Sequence, residues 1–346
     1  MKIKSNEIKD YLNGCYDREI FSKAAEIRDK IFGKEIYLRG IVEFSNICKE
    51  RCLYCGLRAE NMNVKRYRLT DDEILKTVEV IFNHEIGTVV LQSGNDPFYT
   101  TEFIENIIRK IKKKYGSKLA ITLSLGEREL EELKRWREAG AERYLIKVET
   151  FDEKLYEKMR PGRKLKERII MIEWLNKLGY EVGSGIIVDF PYSDIDTLSN
   201  DIFQLSKLNL HMIAAGPFIP HPETPLKEFN HGDVVKSLRI ISLLRILNPY
   251  SNIPSTSAMA AIEKRARMEG LRVGANVIMP SFTPDRVRKL YNIYPGKNQV
   301  YEDVEEDMET LKKNIVDSGF SPSKSVGGFK KRSDTLSDIK KIDILQ

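Results

Sequence analysis

Short apolar runs alternate with longer amphipathic stretches along most of the chain. Eight runs have the length and the Val and Ile content of buried strands: "YLRGIVEFS", "GTVVLQS", "LAITLSL", "RYLIKVE", "VGSGIIVDF", "HMIAAGPF", "NIPSTSA" and "LRVGANVIM". Stretches with helical periodicity, such as "TEFIENIIRKIKKKYG", separate them. Eight strands that alternate with helices predict an α/β fold, a (β/α)8 barrel. A doubly wound sheet is the alternative, because strand number does not establish closure.

The same pattern predicts where the barrel begins and ends. We expect an N-terminal helical extension at 1–35, the barrel at 36–320 and a loosely attached polar tail at 321–346. The opening residues, "MKIKSNEIKD", lack the apolar core of a signal peptide, and no apolar run reaches the roughly 18 residues that cross a bilayer. A cytoplasmic protein that does not bind membranes is therefore expected.

Composition changes this picture little. With 41% hydrophobic residues, 31% charged residues and a net charge of +6, the chain is typical of soluble domains. The basic runs "RKIKKKYGSK" and "GGFKKR" are far apart and contain few aromatic residues, so nucleic-acid binding is not expected. Four cysteines are too few and too clustered for a secreted disulfide framework.

The most informative stretch is "SNICKERCLYC", which contains Cys48, Cys52 and Cys55 directly after the first predicted strand. In a barrel this position is the first loop of the carboxyl-terminal rim, where active sites lie. The C-x3-C-x2-C spacing allows three thiolates to converge on one metal centre. A cluster of four irons then keeps one iron open, and catalysis at a metal requires an open position.

Two other interpretations of these cysteines are open. A structural zinc site needs a fourth ligand, and neither Cys15 in the helical extension nor His84 on a predicted helix has typical zinc spacing. Burial as small hydrophobic side chains is disfavoured by the charged residues that separate Cys48 from Cys52. A zinc-stapled barrel that acts as a binding protein is therefore the alternative from another functional class.

The cysteine loop, with Tyr54 before the last cysteine, resembles the signature of radical S-adenosylmethionine (SAM) enzymes. Further stretches, "VVLQSGNDPFY", "GPFIPHPETPL", "GANVIMPSFTP" and "LYNIYPGK", are similar in order to the HydE family of hydrogenase maturases, over about 36–297. The resemblance implies a radical SAM barrel whose three cysteines hold a 4Fe-4S cluster. SAM would bind the fourth iron and be cleaved reductively to a 5′-deoxyadenosyl radical.

The resemblance also implies which residues hold the cofactor. These are Tyr54, Gln92, Ser93, Thr122, Ser124, Glu149, Arg168 and Met279. The two-residue period of a strand places Thr122 with Ser124, and Lys147 with Glu149, on shared faces. Arg168 can offer a planar fork to the SAM carboxylate. Local evidence alone also allows a simple turn at Gly94 and ordinary strand-forming hydroxyl residues.

A second implied set lines the substrate cavity: Thr256, Ser257, Tyr291 and Tyr294. The two tyrosines share a face if their segment is helical. The implied substrate is a small cysteine-bound iron carbonyl cyanide complex. The implied partners are an electron donor such as ferredoxin or flavodoxin, and other hydrogenase maturation proteins.

Because of three departures from family patterns, a close relative of the HydE family is an alternative. The stretch "LQSGND" stands where radical SAM enzymes commonly have Gly-Gly-Glu, and Lys147-Val148-Glu149-Thr150 where HydE-type sequences usually have Arg-His-Glu-Thr. No cysteine follows Cys55, so the second cysteine trio of many HydE-type proteins is missing. The alternative is an HmdB-type enzyme, which makes the iron-guanylylpyridinol cofactor of mono-iron hydrogenase. The x3 gap between the first two cysteines, in place of x5, favours HydE.

Overall fold

Six consecutive strands form one parallel sheet in the computed structural model, which describes residues 7–298 and 304–330. In sheet order, which is also chain order, they are β2 (Gly40–Ser45), β3 (Thr88–Ser93), β4 (Ala120–Ser124), β5 (Arg143–Leu145), β6 (Glu181–Val188) and β7 (Met212–Pro217). All six residues of β2 are buried. Burial on both faces is typical of a parallel sheet that is covered by helices outside and filled by side chains inside.

A second group of strands joins the two edges of this sheet. The strand β1 (Glu35–Leu38) continues into β2 through Arg39 and pairs in parallel with β8 (Val277–Ile278). Beyond β8, Ser281 forms a bridge with Ile41 of β2. The first strand of the barrel therefore contacts the last one.

The seventh predicted strand, "NIPSTSA", is reduced to two bridges. Asn252 pairs with Met212 of β7, and Pro254 pairs with Val277 of β8. A continuous ladder does not form here, because proline has no N–H to donate. The two bridges still connect β7 to β8 and complete the ring. The predicted (β/α)8 barrel is confirmed, and the open doubly wound sheet is excluded.

Helices cover the outside of the barrel. They are α1 (Ile8–Leu12), α2 (Asp17–Phe32), α3 (Asp71–Asn83), α4 (Thr101–Tyr115), α5 (Leu130–Ala139), α6 (Glu153–Met159), α7 (Leu165–Lys177), α8 (Ile195–Leu205), α9 (Val234–Leu247), α10 (Ser257–Ile262), α11 (Ala266–Arg272), α12 (Asp285–Arg288) and α13 (Val304–Asp317). Thr70 and Glu73 form a capping box at the start of α3. Of the helices in the described part of the chain, none has the length and apolar character needed to span a membrane.

The first two helices lie in the segment predicted as an N-terminal extension. Ile20, Ala24 and Ile27 of α2 are buried in a cluster of apolar side chains that includes Ile246 of α9. Asp17, at the start of α2, accepts hydrogen bonds from Nε and Nη2 of Arg239 on α9, at 2.7 and 2.9 Å. These contacts attach the helical segment to the barrel, while residues 1–6 of the predicted extension lie outside the described residues.

Part of the predicted polar tail is firmly packed, contrary to the expectation of loose attachment. β9 (Ser321–Ser323) pairs in parallel with β1. The Gly327 carbonyl accepts hydrogen bonds from Arg39 Nη2 and Asn252 Nδ2, both at 3.2 Å. This segment covers the amino-terminal end of the barrel, and the rest of the predicted tail, from 331 to 346, lies outside the described residues.

Candidate active site

The clustered cysteines lie in the loop after β2, at the carboxyl-terminal rim of the barrel. Cys52 is buried, Cys48 and Cys55 are half-buried, and all three thiols are free. Burial is the largest cause that raises the pKa of each thiol, and for Cys55 the charges of the other two add to it. A bound metal replaces the thiol protons, since cysteine ligates metals as the thiolate.

Two nitrogen donors face the sulfur atoms. The backbone N–H of Asn95 donates to Sγ of Cys48 at 3.3 Å, and Nε of Arg160 donates to Sγ of Cys52 at 3.4 Å. Hydrogen bonds to ligand sulfurs stabilise their negative charge and are one of the means by which proteins tune iron–sulfur clusters. The loop is therefore suited to three thiolates.

Gly94, in the turn after β3, permits this loop to come close. A Cβ atom at Gly94 would lie 2.1 Å from the carbonyl oxygen of Ile47 and 2.9 Å from Cβ of Cys48. Both distances are too short for any side chain. A glycine is thus required at position 94 by the close approach of the cysteine loop.

The arrangement differs from a mononuclear metal site. Within residues 7–298 and 304–330, no group of three or more His, Cys, Asp or Glu side chains is placed to hold one metal ion. The two residues considered as a fourth zinc ligand lie elsewhere: Cys15 is exposed between α1 and α2, and His84 pairs with Glu305 at 3.1 Å. In a four-iron cluster each thiolate binds a different iron, so the three sulfurs need not converge on one ion.

A cavity of about 440 Å³ extends inside the barrel from the cysteine loop towards Arg39 and Asn252 at the amino-terminal end. This volume lies within the usual range of small-molecule sites. The predicted site residues that line it are Cys52, Tyr54, Cys55, Gln92, Ser93, Ser124, Glu149, Arg168, Thr256, Ser257, Met279 and Tyr294. The structure therefore brings most of the sequence-predicted residues to one enclosed space.

Three predicted residues do not line this cavity: Cys48, Thr122 and Tyr291. Thr122 is fully buried, and its hydroxyl has no hydrogen-bond partner. Tyr291 accepts a hydrogen bond from Nε2 of Gln92 at 3.1 Å and so lies behind a cavity residue. The two tyrosines share no helical face, because α12 ends at Arg288. Tyr294 alone of the pair reaches the cavity.

Arg168 connects the cavity to the cysteine loop. Its Nη1 donates to the carbonyl of Lys147 at 2.6 Å, and its Nη2 forms an ion pair with Glu127. Glu127 also pairs with Arg160, at 2.6 Å, and Arg160 is the residue that donates to Cys52. Nε of Arg168 is buried without a partner. A guanidinium held on two sides with one free donor is placed to bind a further acceptor.

Glu149 is held in an unusual backbone conformation at the rim. Its φ is +69°, in the left-handed region that non-glycine residues seldom adopt. Nζ of Lys147 lies 2.9 Å from Oε2, and the hydroxyl of Tyr54 donates to Oε1 at 3.3 Å. Such strain persists only where the surroundings enforce it, and it is concentrated at functional sites. Glu149 thus presents a positioned carboxylate to the cavity.

On the other wall of the cavity, Ser257 is the first residue of α10 and Thr256 is its N-cap. The hydroxyls of Ser257 and Tyr294 are 2.7 Å apart and hydrogen-bonded. The hydroxyl of Thr256 is buried and has no partner. A buried hydroxyl without a partner is costly, so such groups in a cavity indicate a ligand.

Comparison with known proteins identifies the family. The radical SAM superfamily matches residues 42–202. The [FeFe] hydrogenase maturase subunit HydE of Thermotoga maritima is 43% identical over 321 residues, which are 93% of this chain and 91% of that protein. The chain belongs to the HydE family of radical SAM enzymes.

Other relatives of this HydE-family chain share the barrel. The 3-methylornithine synthase of Methanosarcina acetivorans is 27% identical over 88% of this chain and 85% of that protein. The crystal structure of methylornithine synthase superposes with a TM-score of 0.82, at 25% identity, over 97% of each chain. The maturase HydG from Carboxydothermus hydrogenoformans, at 21% identity and a TM-score of 0.78 over 97% of this chain and 80% of that one, shows the same fold.

As a member of the HydE family, the chain is an enzyme that uses a 4Fe-4S cluster and SAM. The residues present fit both groups. The thiols of Cys48 and Cys52 have nitrogen donors, and three thiolates leave one iron for SAM. The unpartnered Nε of Arg168 offers a donor to a carboxylate, and Glu149 offers an acceptor to hydroxyl or ammonium groups.

Sequence reasoning missed several residues of this HydE-family site. Glu127 and Arg160, which join Arg168 to Cys52, were not predicted, nor was Lys297, whose buried ammonium pairs with Glu43 at 3.1 Å beside the cavity. Glu127 lies two residues after the third predicted strand, where rim residues of barrels lie, so its position was a usable signal. The position of Arg160 depends on long-range packing and gave no such signal.

Asp201 of α8 holds the strained segment at Glu149. It is buried, and its Oδ1 accepts hydrogen bonds from the backbone N–H of Phe151 at 2.6 Å and the hydroxyl of Thr150 at 3.2 Å. Burial raises the pKa of Asp201 to about 7, although these hydrogen bonds oppose the shift. The folded protein therefore keeps a proton that the unfolded chain releases near its ordinary pKa.

The raised pKa of Asp201 predicts a pH-dependent stability. Between about pH 4 and about pH 7 the folded state binds more protons than the unfolded state, so this group's contribution to stability falls as pH rises. Asp201→Asn keeps an acceptor oxygen and does not titrate. We expect the variant to lose less stability than the wild type between about pH 5 and about pH 8, measured by thermal unfolding. An identical pH dependence in both proteins would contradict the assignment.

Proposed function

We propose that this chain is a maturase that helps to assemble the metal cofactor of an iron–iron hydrogenase. The observation that carries the proposal is the 43% identity with a protein described as an [FeFe] hydrogenase maturase subunit, which extends over 93% of the chain. The cysteine loop and the cavity lie inside the matched region. The aligned region therefore includes both the cysteine loop and the residues that line the cavity.

We further propose a small cysteine-bound iron carbonyl cyanide complex as the substrate. The unpartnered hydroxyl of Thr256 and the hydroxyl pair of Ser257 and Tyr294 supply donors for a cyanide or carboxylate acceptor. The ammonium of Lys297 lines the same space. Hydroxyl donors in a cavity of this size suit a compact, polar ligand that carries acceptor atoms.

In this proposal, different residues of the chain have different roles in the reaction. When bound, the cluster supplies the electron that cleaves SAM reductively to a 5′-deoxyadenosyl radical. Arg168 and Glu149, which line the cavity, would hold opposite charges of SAM and orient it, because a fixed geometry directs a reactive carbon to one target. The Gly327 carbonyl accepts hydrogen bonds from Arg39 and Asn252 at the amino-terminal end of the cavity, and the segment that contains it would exclude water from that end.

We also assign the partners and the location to this proposal. Reductive cleavage needs one electron from outside, so an electron donor such as ferredoxin or flavodoxin is a required partner. Other hydrogenase maturation proteins would receive the product or supply the substrate. Because these reactants and partners are expected inside the cell, we propose a cytoplasmic location.

The direct test is a cleavage assay with and without the proposed substrate. The anaerobically reconstituted protein is incubated with SAM and dithionite, and 5′-deoxyadenosine is measured by chromatography. We expect a synthetic cysteine-bound iron carbonyl cyanide complex to increase its formation and to be consumed. Cleavage that is unaffected by the complex, with the complex unchanged, would contradict the proposed substrate and favour the HmdB-type alternative.

Thr256→Val tests the substrate wall separately. Valine has nearly the same shape but no hydroxyl. We expect the substrate-stimulated rate to fall roughly five- to tenfold, because one hydrogen bond contributes about 1 kcal/mol. SAM binding, measured by calorimetry, should stay unchanged.

The matched control is Thr77→Val, which removes a buried hydroxyl from α3, away from the cavity. An equal loss in both variants would indicate a general effect on stability. An undiminished rate in Thr256→Val would remove this residue from the substrate site.

A further inference from the structure

Arg160 is a buried cation that contacts a sulfur atom of the cysteine loop. It is 4% exposed and forms the C-cap of α6. Its Nε donates to Sγ of Cys52 at 3.4 Å, whereas the donor to Cys48 is the neutral backbone N–H of Asn95. Because arginine stays protonated in proteins, the sulfur of Cys52 faces a permanent positive charge.

The other nitrogens of Arg160 hold its guanidinium in a fixed orientation. Nη1 donates to the hydroxyl of Tyr156 at 2.7 Å and to Oε1 of Glu127 at 2.6 Å. Nη2 donates to Oε2 of Glu127 at 3.2 Å and lies 3.6 Å from Oε2 of Glu50. A two-point contact with a carboxylate fixes both the distance and the plane of an arginine. Glu127 therefore orients Arg160 towards the sulfur.

The charges around Glu127 do not cancel. Its carboxylate also pairs with Nη2 of Arg168, so that two guanidinium groups share one carboxylate. The nearby Glu50 receives shorter hydrogen bonds from Arg163, at 2.6 and 2.8 Å, and is balanced by that residue. A net positive charge therefore remains in a buried position beside the cysteine loop, where electrostatic interactions are stronger than in water.

We propose that Arg160 and Glu127 together set the reduction potential of the cluster. Arg160 raises the potential, and Glu127 positions the arginine and limits the rise. One-electron reduction adds a negative charge at the cluster, which a nearby cation stabilises and a nearby anion destabilises. Net charge and hydrogen bonds to the ligand sulfurs are among the factors that set such potentials. This inference depends on the cofactor of the family and not on the proposed hydrogenase substrate.

Arg160→Met tests the role of the cation. The substitution removes the charge and the donor to Cys52 and keeps much of the side-chain length. The midpoint potential of the reconstituted protein is measured without SAM, by titration with dithionite and detection of the reduced cluster by electron paramagnetic resonance. We expect the equilibrium constant for one-electron reduction to fall about tenfold, which corresponds to a midpoint potential about 59 mV lower.

Glu127→Gln tests the role of the anion and predicts a shift of opposite sign. Glutamine has nearly the same shape and keeps an acceptor oxygen for Arg160, but it carries no negative charge. We expect a midpoint potential higher than that of the wild type. A general disturbance of the cysteine loop would not shift the two variants in opposite directions. A lower potential in both variants would therefore overturn the proposal, and so would an unchanged potential in Arg160→Met.

Two further variants separate the effect of this contact from a general effect of charge. Arg160→Lys keeps the charge but cannot bind the sulfur and Glu127 together through a planar fork, so we expect it to recover only part of the lost potential. Arg109, which is exposed on α4, pairs with Glu105. Arg109→Met changes the net charge equally and should leave the potential unchanged. Equal shifts in Arg109→Met and Arg160→Met would overturn the proposal.

Iron analysis of each variant shows whether the cluster assembles. If Arg160→Met binds no iron, Glu127→Gln and Arg160→Lys decide, and we expect a raised potential in the first and a lowered potential in the second. The wild-type potential in both would assign Arg160 a purely structural role and overturn the proposal. The titration contains neither SAM nor an iron carbonyl cyanide complex. Failure of the proposed substrate would therefore leave these potentials unaffected.

Discussion

Cys52→Ala is expected to reduce the formation of 5′-deoxyadenosine to the background level and to lower the bound iron. Cys52 is buried, and its sulfur receives the Nε hydrogen bond of Arg160. Without it, two thiolates remain for a cluster that needs three protein ligands to leave a single open iron. The arginine also loses an anionic partner in a buried position, which adds a cost in stability. Chromatography of the reaction mixture and iron analysis measure the two effects.

The matched control for this prediction is Cys15→Ala. Cys15 is the fourth cysteine of the chain and is exposed in the N-terminal helical segment. We expect this variant to bind iron and to cleave SAM as the wild type does. Retained 5′-deoxyadenosine formation in Cys52→Ala, or an equal loss in Cys15→Ala, would contradict the assignment of the three cluster ligands.

Arg168→Ala is expected to weaken SAM binding by about ten- to a hundredfold while the iron content stays intact. The free Nε of Arg168 points to a missing acceptor, and hydrogen bonds that involve charged groups contribute about 1.5–3 kcal/mol. Arg160 continues to neutralise Glu127 in the variant, at 2.6 Å, so the contact with Cys52 is preserved. Calorimetry with SAM on the reconstituted protein gives the dissociation constant.

Two comparisons make the Arg168 prediction specific. Arg168→Lys keeps the charge but loses the planar fork, and we expect it to recover only part of the affinity. Arg109→Ala removes an exposed arginine of α4 that pairs with Glu105, and it should leave the affinity unchanged. SAM affinity that is unaffected in Arg168→Ala would exclude the carboxylate role, and full recovery by lysine would exclude the need for the fork.

The barrel could be predicted because each of its strands has a local pattern in the sequence. Runs such as "GIVEFS" in β2 are buried along their whole length, which parallel strands require. The number of strands favoured a closed barrel but did not exclude an open sheet, because closure depends on the bridge between Ile41 and Ser281, far apart in the chain. The seventh strand was overestimated, since Pro254 interrupts the ladder there. The packing of Gly327 under the barrel was missed, because a polar composition does not reveal hydrogen bonds to Arg39.

The candidate site likewise contains residues that the sequence predicts and residues that only the fold reveals. The cysteines could be predicted because their function depends on spacing within eight positions. Thr122 was predicted from the family resemblance together with strand periodicity, which gives the direction of a side chain but not its depth in the barrel. The chain from Arg168 through Glu127 and Arg160 to Cys52 joins four separate segments, so only the fold reveals it.

Iron, sulfide and zinc analysis of the anaerobically reconstituted wild-type protein tests the central claim most directly. Three thiolates that leave one iron open predict about four irons and four sulfides per chain, with no stoichiometric zinc. The account also predicts that these values fall in Cys52→Ala and not in Cys15→Ala. One zinc ion per chain, without sulfide and with the same metal content in both variants, would contradict it.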